Sequence, residues 1–140
     1  MAGYIGRHLT IHKTMFQVSV EETFSAGHAL RGYKGKCENT HGHNYRVRVH
    51  VAGEELDSIG LLIDFSHLKK ILRELIGGVD HKFLNDQPPF DSINPSAENM
   101  AKFFYEETSK KMLQIPNAPR ITSITVWETD ETSATYTPTS

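Results

Sequence analysis

The run Tyr45-Arg46-Val47-Arg48-Val49-His50-Val51 alternates apolar and polar residues without a break. A half-buried β-strand satisfies that period of two, because successive side chains of an extended chain point to opposite faces. A helix would scatter the same residues around its axis. The segment from Phe16 to Leu30 carries the same pattern, with Phe16, Val18, Val20, Phe24 and Ala26 on one parity and His28 next in the series. A basic, glycine-bearing loop, RGYKGK at 31–36, follows this first run.

Two helices are expected further on. The first starts near Asp64 or Ser66, both good caps, and places Leu68, Ile71, Leu72 and Leu75 at helical spacing before Gly77-Gly78. The second opens in NPSAEN, with Asn94 or Ser96 as cap and Pro95 suited to the first helical position. It turns Met100, Phe103 and Phe104 inward. A last strand, RITSITVWE, sets Ile124, Val126 and Glu128 on one face, and the Ser/Thr-rich tail from Thr129 is left free to fray. Strands that are not interleaved with helices indicate an α+β fold with a mostly antiparallel sheet.

A chain of 140 residues makes one domain. The lack of periodicity before Met15 sets residues 1–14 apart as an N-terminal extension, disorder being one reading of it, with a single domain over 15–140. A net charge of −2 provides no basic footprint for nucleic acid. One cysteine rules out an internal disulfide framework and a thiolate-rich zinc site, and makes a reducing cytoplasm the expected compartment. No apolar run approaches the ~20 residues of a membrane span.

Chemistry gathers in CENTHGHNY, residues 37–45. His41 and His43 are two apart at a strand start, so both rings project to one face, with Cα atoms about 6.5–7 Å apart. If the two strands pair antiparallel, His28 arrives beside them. Three neutral imidazoles with an open fourth position describe a catalytic zinc site rather than a closed structural one. A His-x-His alone is also compatible with ordinary strand-end histidines. Cys37 fits a small core hydrophobe or, near lysines and a cation, a thiolate base. Glu38 reads as a loop carboxylate or a second base. Asp80-His81 is either a helix-terminal turn or a proton carrier with its orienting acid. Glu128 continues an apolar strand face, so it either reaches water or receives paired N–H donors from a ligand.

The ordered set FSAGH, CENTHGHNY, LLIDFSHLK, DHKFLND, NPSAEN and VWET resembles the 6-pyruvoyl- and 6-carboxy-tetrahydropterin synthase family over about Phe16 to Thr129. The resemblance implies the tunnelling fold: an antiparallel four-stranded sheet with two helices on one face, oligomerising into a barrel. It implies Zn2+ on His28, His41 and His43, a general base at Cys37, a proton-shuttling dyad of Asp80 and His81, and a pterin anchor at Glu128. Ser96 is the neighbouring substrate-site hydroxyl, since Ala97 offers none. Sites at subunit interfaces are expected, in a homo-oligomer such as a hexamer of two trimers.

Three residues between Cys37 and His41 are similar to the 6-carboxy branch, which acts in queuosine biosynthesis. The implied reaction converts 7,8-dihydroneopterin triphosphate to 6-carboxy-5,6,7,8-tetrahydropterin, releasing acetaldehyde and triphosphate. Arg31, Lys34 and Lys36 are the candidate triphosphate partners. Alternatives are the 6-pyruvoyl synthase reaction, an aldolase-like cleavage using Glu38, and a non-enzymatic pterin- or zinc-binding oligomer.

Overall fold

The computed structural model of the protein describes residues 15–35 and 38–139. Strands β1 (Phe16–His28) and β2 (His41–Gly53) pair antiparallel along their full length, with Val18 opposite Val51, Val20 opposite Val49 and Phe24 opposite Tyr45. The two apolar parities therefore meet on one face. Strand β4 (Arg120–Thr129) adds to β2, placing Ile124 beside Val49 and Val126 beside Val47.

Helices α1 (Phe65–Gly77) and α2 (Ala97–Met112) cover this face. Asp64 caps α1 by accepting from the Ser66 N–H at 2.8 Å, and Leu68, Ile71, Leu72 and Ile76 are its buried residues. Ser96 caps α2, whose Met100, Ala101 and Phe104 are buried while Phe103 packs half-buried against the core. Burying a Leu68 or a Phe104 stabilises the fold by roughly 1.5–3 kcal/mol each before chain entropy is counted. Lys110 and Lys111 end α2, where the helix dipole favours positive charge. Pro95 lies two residues before Ala97, just outside the Ser96 cap, rather than at the first helical position. Its carbonyl is thereby free of the helical ladder, which matters below.

The sheet has five strands, not four, in the order β3-β1-β2-β4-β5. Two short edges account for the difference. The tail beyond Thr129 turns back as β5 (Thr132–Tyr136). Thr129 Oγ1 accepts from the N–H groups of Glu131 and Thr132, which makes the tight turn. Tyr136 then lies against Tyr105 of α2 with ring centroids 5.1 Å apart, so the tail is anchored rather than frayed. At the other edge β3, only Lys82–Phe83, runs parallel to β1 at Ala26 and Gly27.

The second face of the sheet carries the polar parity. Arg46 and Arg48 lie over the Trp127 ring, at 4.1 and 5.1 Å from its centroid, and Glu21 pairs with Arg48. No helix among the described residues is long and apolar enough to cross a membrane.

Candidate metal centre

The β1–β2 register closes on His28 opposite His41, and His43 sits opposite Ala26. All three rings therefore crowd one end of the ladder, with centroids 4.5 to 5.0 Å apart. His28 is 1% exposed. Its Nδ1 donates to the Pro95 carbonyl at 2.7 Å, and His41 Nδ1 donates to the Asn39 carbonyl at 2.7 Å. A carbonyl only accepts, so in both rings the hydrogen resides on Nδ1. The two Nε2 atoms face each other at 2.9 Å. In neutral rings these are two bare lone pairs, which repel unless a positive charge lies between them.

His43 adds a third nitrogen. Its Nε2 is buried with no hydrogen-bond partner, and Glu128 Oε2 at 3.8 Å is too distant to serve as one. One ligand atom from each ring lies within 4.8 Å of the others. Two zinc–nitrogen bonds of ~2.1 Å end to end span nearly that distance, so only small ring rotations separate this arrangement from a shared ion. Burial lowers the pKa of His28 and of His43, and the neighbouring rings reinforce the shift against the opposing charge of Glu128. Neutral imidazoles with second nitrogens held by carbonyls are the form that binds a cation. The donor set fits a divalent metal of the zinc type.

Glu128, expected on the apolar face of the last strand, arrives beside His43 with 24% of its side chain exposed. The β2–β4 register ends with Arg46 opposite Trp127, one residue short of Tyr45 and Glu128, and the Glu128 charge is felt at Tyr45. Tyr45 stacks on Phe24 at 4.9 Å and 12°, and its hydroxyl is buried without a partner. Burial first, and the Glu128 charge second, push the Tyr45 pKa far above the ordinary phenol value. In the sequence Tyr45 is marked only by its place in the alternating run.

Asp80 and His81 do lie together, with His81 Nδ1 3.0 Å from Asp80 Oδ1. Both are clamped by the backbone of Ser25. Its N–H donates to Asp80 Oδ1 at 2.9 Å, and its carbonyl accepts from the His81 N–H at 2.6 Å. That second bond holds His81 in the left-handed region at φ 58°, uncommon for a residue with a side chain. The Ser25 N–H, with help from His81, lowers the Asp80 pKa. The His81 side chain is 80% exposed and lines a cleft of about 560 Å³ with His43, Ser25, Thr40, Asn44 and Lys82.

Other expected site residues fall differently. The Ser96 oxygen accepts from the Asn99 N–H at 3.1 Å as the α2 cap, leaving its own proton to donate. The Arg31 guanidinium donates to the carbonyls of Asn85, Phe90 and Ile93. Glu38 is exposed, its N–H bonded to the Gly35 carbonyl. Cys37 and Lys36 lie outside the described residues. The Pro95 and Asn39 carbonyls were missed because a backbone acceptor leaves no mark in the residue type.

This α+β fold, with three histidines that could hold a cation at the end of its first hairpin, defines a metal-competent enzyme-like domain. A family model described as 6-pyruvoyl tetrahydropterin synthase matches residues 17–139, and the chain belongs to that family. The 6-carboxy-5,6,7,8-tetrahydropterin synthase of Bacillus subtilis (strain 168) is 34% identical over 132 residues, 91% of this chain and 88% of its own. The 6-pyruvoyl tetrahydrobiopterin synthase of Dictyostelium discoideum is 36% identical over 98 residues, 61% of this chain and 73% of its own. The structure of the Caenorhabditis elegans 6-pyruvoyl tetrahydropterin synthase superposes with a TM-score of 0.80 at 27% identity, covering 93% of this chain and all of that one.

Proposed function

We propose that the protein is a zinc-dependent 6-carboxy-tetrahydropterin synthase. It converts 7,8-dihydroneopterin triphosphate to 6-carboxy-5,6,7,8-tetrahydropterin, with release of acetaldehyde and triphosphate, in the cytoplasmic route to queuosine. The observation that carries this reading is the facing pair of bare Nε2 atoms on His28 and His41, 2.9 Å apart. Its support on the side of substrate is the 34% identity to a relative named for the 6-carboxy product.

His28, His41 and His43 would hold Zn2+, which when bound supplies a Lewis acid and a template for the substrate's side-chain hydroxyls. Cys37 is the proposed base, taking a proton from the side chain as thiolate. His81 moves protons at the cleft through Nε2, because its Nδ1 lies 3.0 Å from the Asp80 carboxylate, which stabilises the ring when charged. Glu128 accepts the two parallel N–H groups of the pterin's amino-pyrimidinone edge, and the Ser96 hydroxyl donates beside it. The homo-oligomer, a hexamer of two trimers in this reading, is supported by the β1 edge, which among the described residues β3 covers only at Ala26 and Gly27.

Incubating zinc-loaded protein with 7,8-dihydroneopterin triphosphate and weighing both products by mass spectrometry tests the proposal. 6-Carboxy-tetrahydropterin with acetaldehyde is the expected result. A 6-pyruvoyl product without aldehyde, or glycolaldehyde, moves the protein to the alternative reactions, and turnover unchanged in Cys37→Ala removes the cysteine mechanism. Ligand and metal binding with no turnover at all would leave only a binding oligomer.

A further inference from the structure

The His28 ring is oriented by a backbone carbonyl, so whatever fixes Pro95 also fixes the ring. The chain on either side of that contact is tied together by side-chain amides. Asn94, just before Pro95, accepts from the Arg31 N–H at 2.9 Å through Oδ1 and donates to the Arg31 carbonyl at 2.9 Å through Nδ2. Asn85 makes the same reciprocal pair with Ala29, at 2.9 and 2.8 Å. These two carboxamides continue β1 past His28 as if they were rungs of a ladder. The Arg31 guanidinium closes over the Asn85, Phe90 and Ile93 carbonyls. From the helix side, Asn99 Nδ2 donates to the Asn94 carbonyl at 2.9 Å.

We propose that Asn94 is a positioning residue of the metal centre, bolting the segment after His28 to the carbonyl that orients the His28 ring. The inference rests on the divalent-cation reading of His28, His41 and His43. Without the carboxamide, the Arg31 N–H and carbonyl lose their partners and Pro95 is released from the strand end. The His28 Nδ1–H then has no fixed acceptor. The ring turns, or its hydrogen passes to Nε2, and in either case the lone pair aimed at the ion is lost. Partners that orient a metal-bound histidine typically account for about 10–100-fold in affinity. Asn94 acts one step further out, which places its effect near the lower end.

The test is the zinc affinity of full-length, metal-free protein, measured by competition with a chromophoric chelator, for wild type, Asn94→Ala and Leu75→Ala. Leu75 is half-buried on α1, and its truncation controls for a general loss of stability. Asn94→Ala is expected to bind zinc about tenfold more weakly, and ring-nitrogen NMR of its metal-free form is expected to show His28 in mixed tautomers. Leu75→Ala is expected to keep wild-type affinity. If Asn94→Ala does not fold, Asn94→Asp takes its place; it keeps the acceptor, loses the donor, and weakens binding in the same direction. Equal affinity in wild type and the Asn94 variant overturns this inference alone. An equal loss in Leu75→Ala also overturns it, because the effect is then global. Wild type that binds no zinc overturns the metal reading and this inference with it.

Discussion

His28 and His41 turn Nε2 toward Nε2 at 2.9 Å across the β1–β2 ladder, while the other nitrogen of each is held by a carbonyl. Such a pair is frustrated without a cation and satisfied with one. His41→Ala is expected to lower bound zinc from one per chain to background, measured by elemental analysis of the dialysed protein. Half-buried His41 contributes little packing, so the metal-free fold should lose less than about 1 kcal/mol.

Glu128 stands 3.8 Å from His43, beyond hydrogen-bond distance, and is the proposed pterin anchor. Glu128→Gln is expected to weaken binding of a pterin by about 10–100-fold, the loss of roughly 1.5–3 kcal/mol in charge-assisted hydrogen bonding. Zinc content should be unchanged. Isothermal titration of both proteins with the same pterin checks it.

The partnerless hydroxyl of Tyr45 has a stability consequence. Tyr45→Phe keeps the ring stacked on Phe24 and removes a buried group that makes no hydrogen bond. The metal-free variant is expected to be as stable as wild type or up to about 1 kcal/mol more stable. Thermal denaturation reads the difference. A clear loss would mean that the hydroxyl finds a partner in solution.

Phe104 is fully buried between Phe24 and Phe103, with ring centroids 5.9 and 5.5 Å away. Phe104→Ala leaves a cavity where α2 meets the sheet and is expected to cost about 3–5 kcal/mol in urea unfolding.

The depressed pKa of Asp80 links it to acid stability. Below the ordinary value of ~3.9, the unfolded chain takes up a proton at Asp80 before the folded chain does. Its stabilising effect is therefore complete above that value and is lost as pH falls through the lower folded value. In Asp80→Asn, stability should fall less steeply with acid across that window, by denaturant unfolding at a series of pH values. Identical slopes would mean that the Ser25 clamp does not act on the carboxylate.

Much of this was legible in the residue order. Alternation placed Val20, Phe24, Tyr45, Val47 and Val49 in the core and put His28 on the same face. The helix starts were signalled by Asp64 or Ser66 and by Asn94 or Ser96, because a short polar side chain before an apolar period satisfies the first free N–H groups; the fold uses Asp64 and Ser96. The edges were not legible: a two-residue β3 has no period, and TSATY, which becomes β5, is polar enough to pass for a tail. Neither were the bonds of Arg31, whose guanidinium ties three carbonyls together.

By itself the sequence determined which residue types face which way, because side-chain direction follows from local backbone period. It therefore set out three histidines and a glutamate as candidates for one face. Only the tertiary structure decided the register that brings His28 opposite His41, the Pro95 and Asn39 carbonyls that choose their tautomers, and the amide rungs of Asn85 and Asn94 that hold the loop in place. These depend on backbone groups from segments up to 67 residues apart. Every residue carries the same backbone donor and acceptor, so their pairing becomes specific only once the chain is folded.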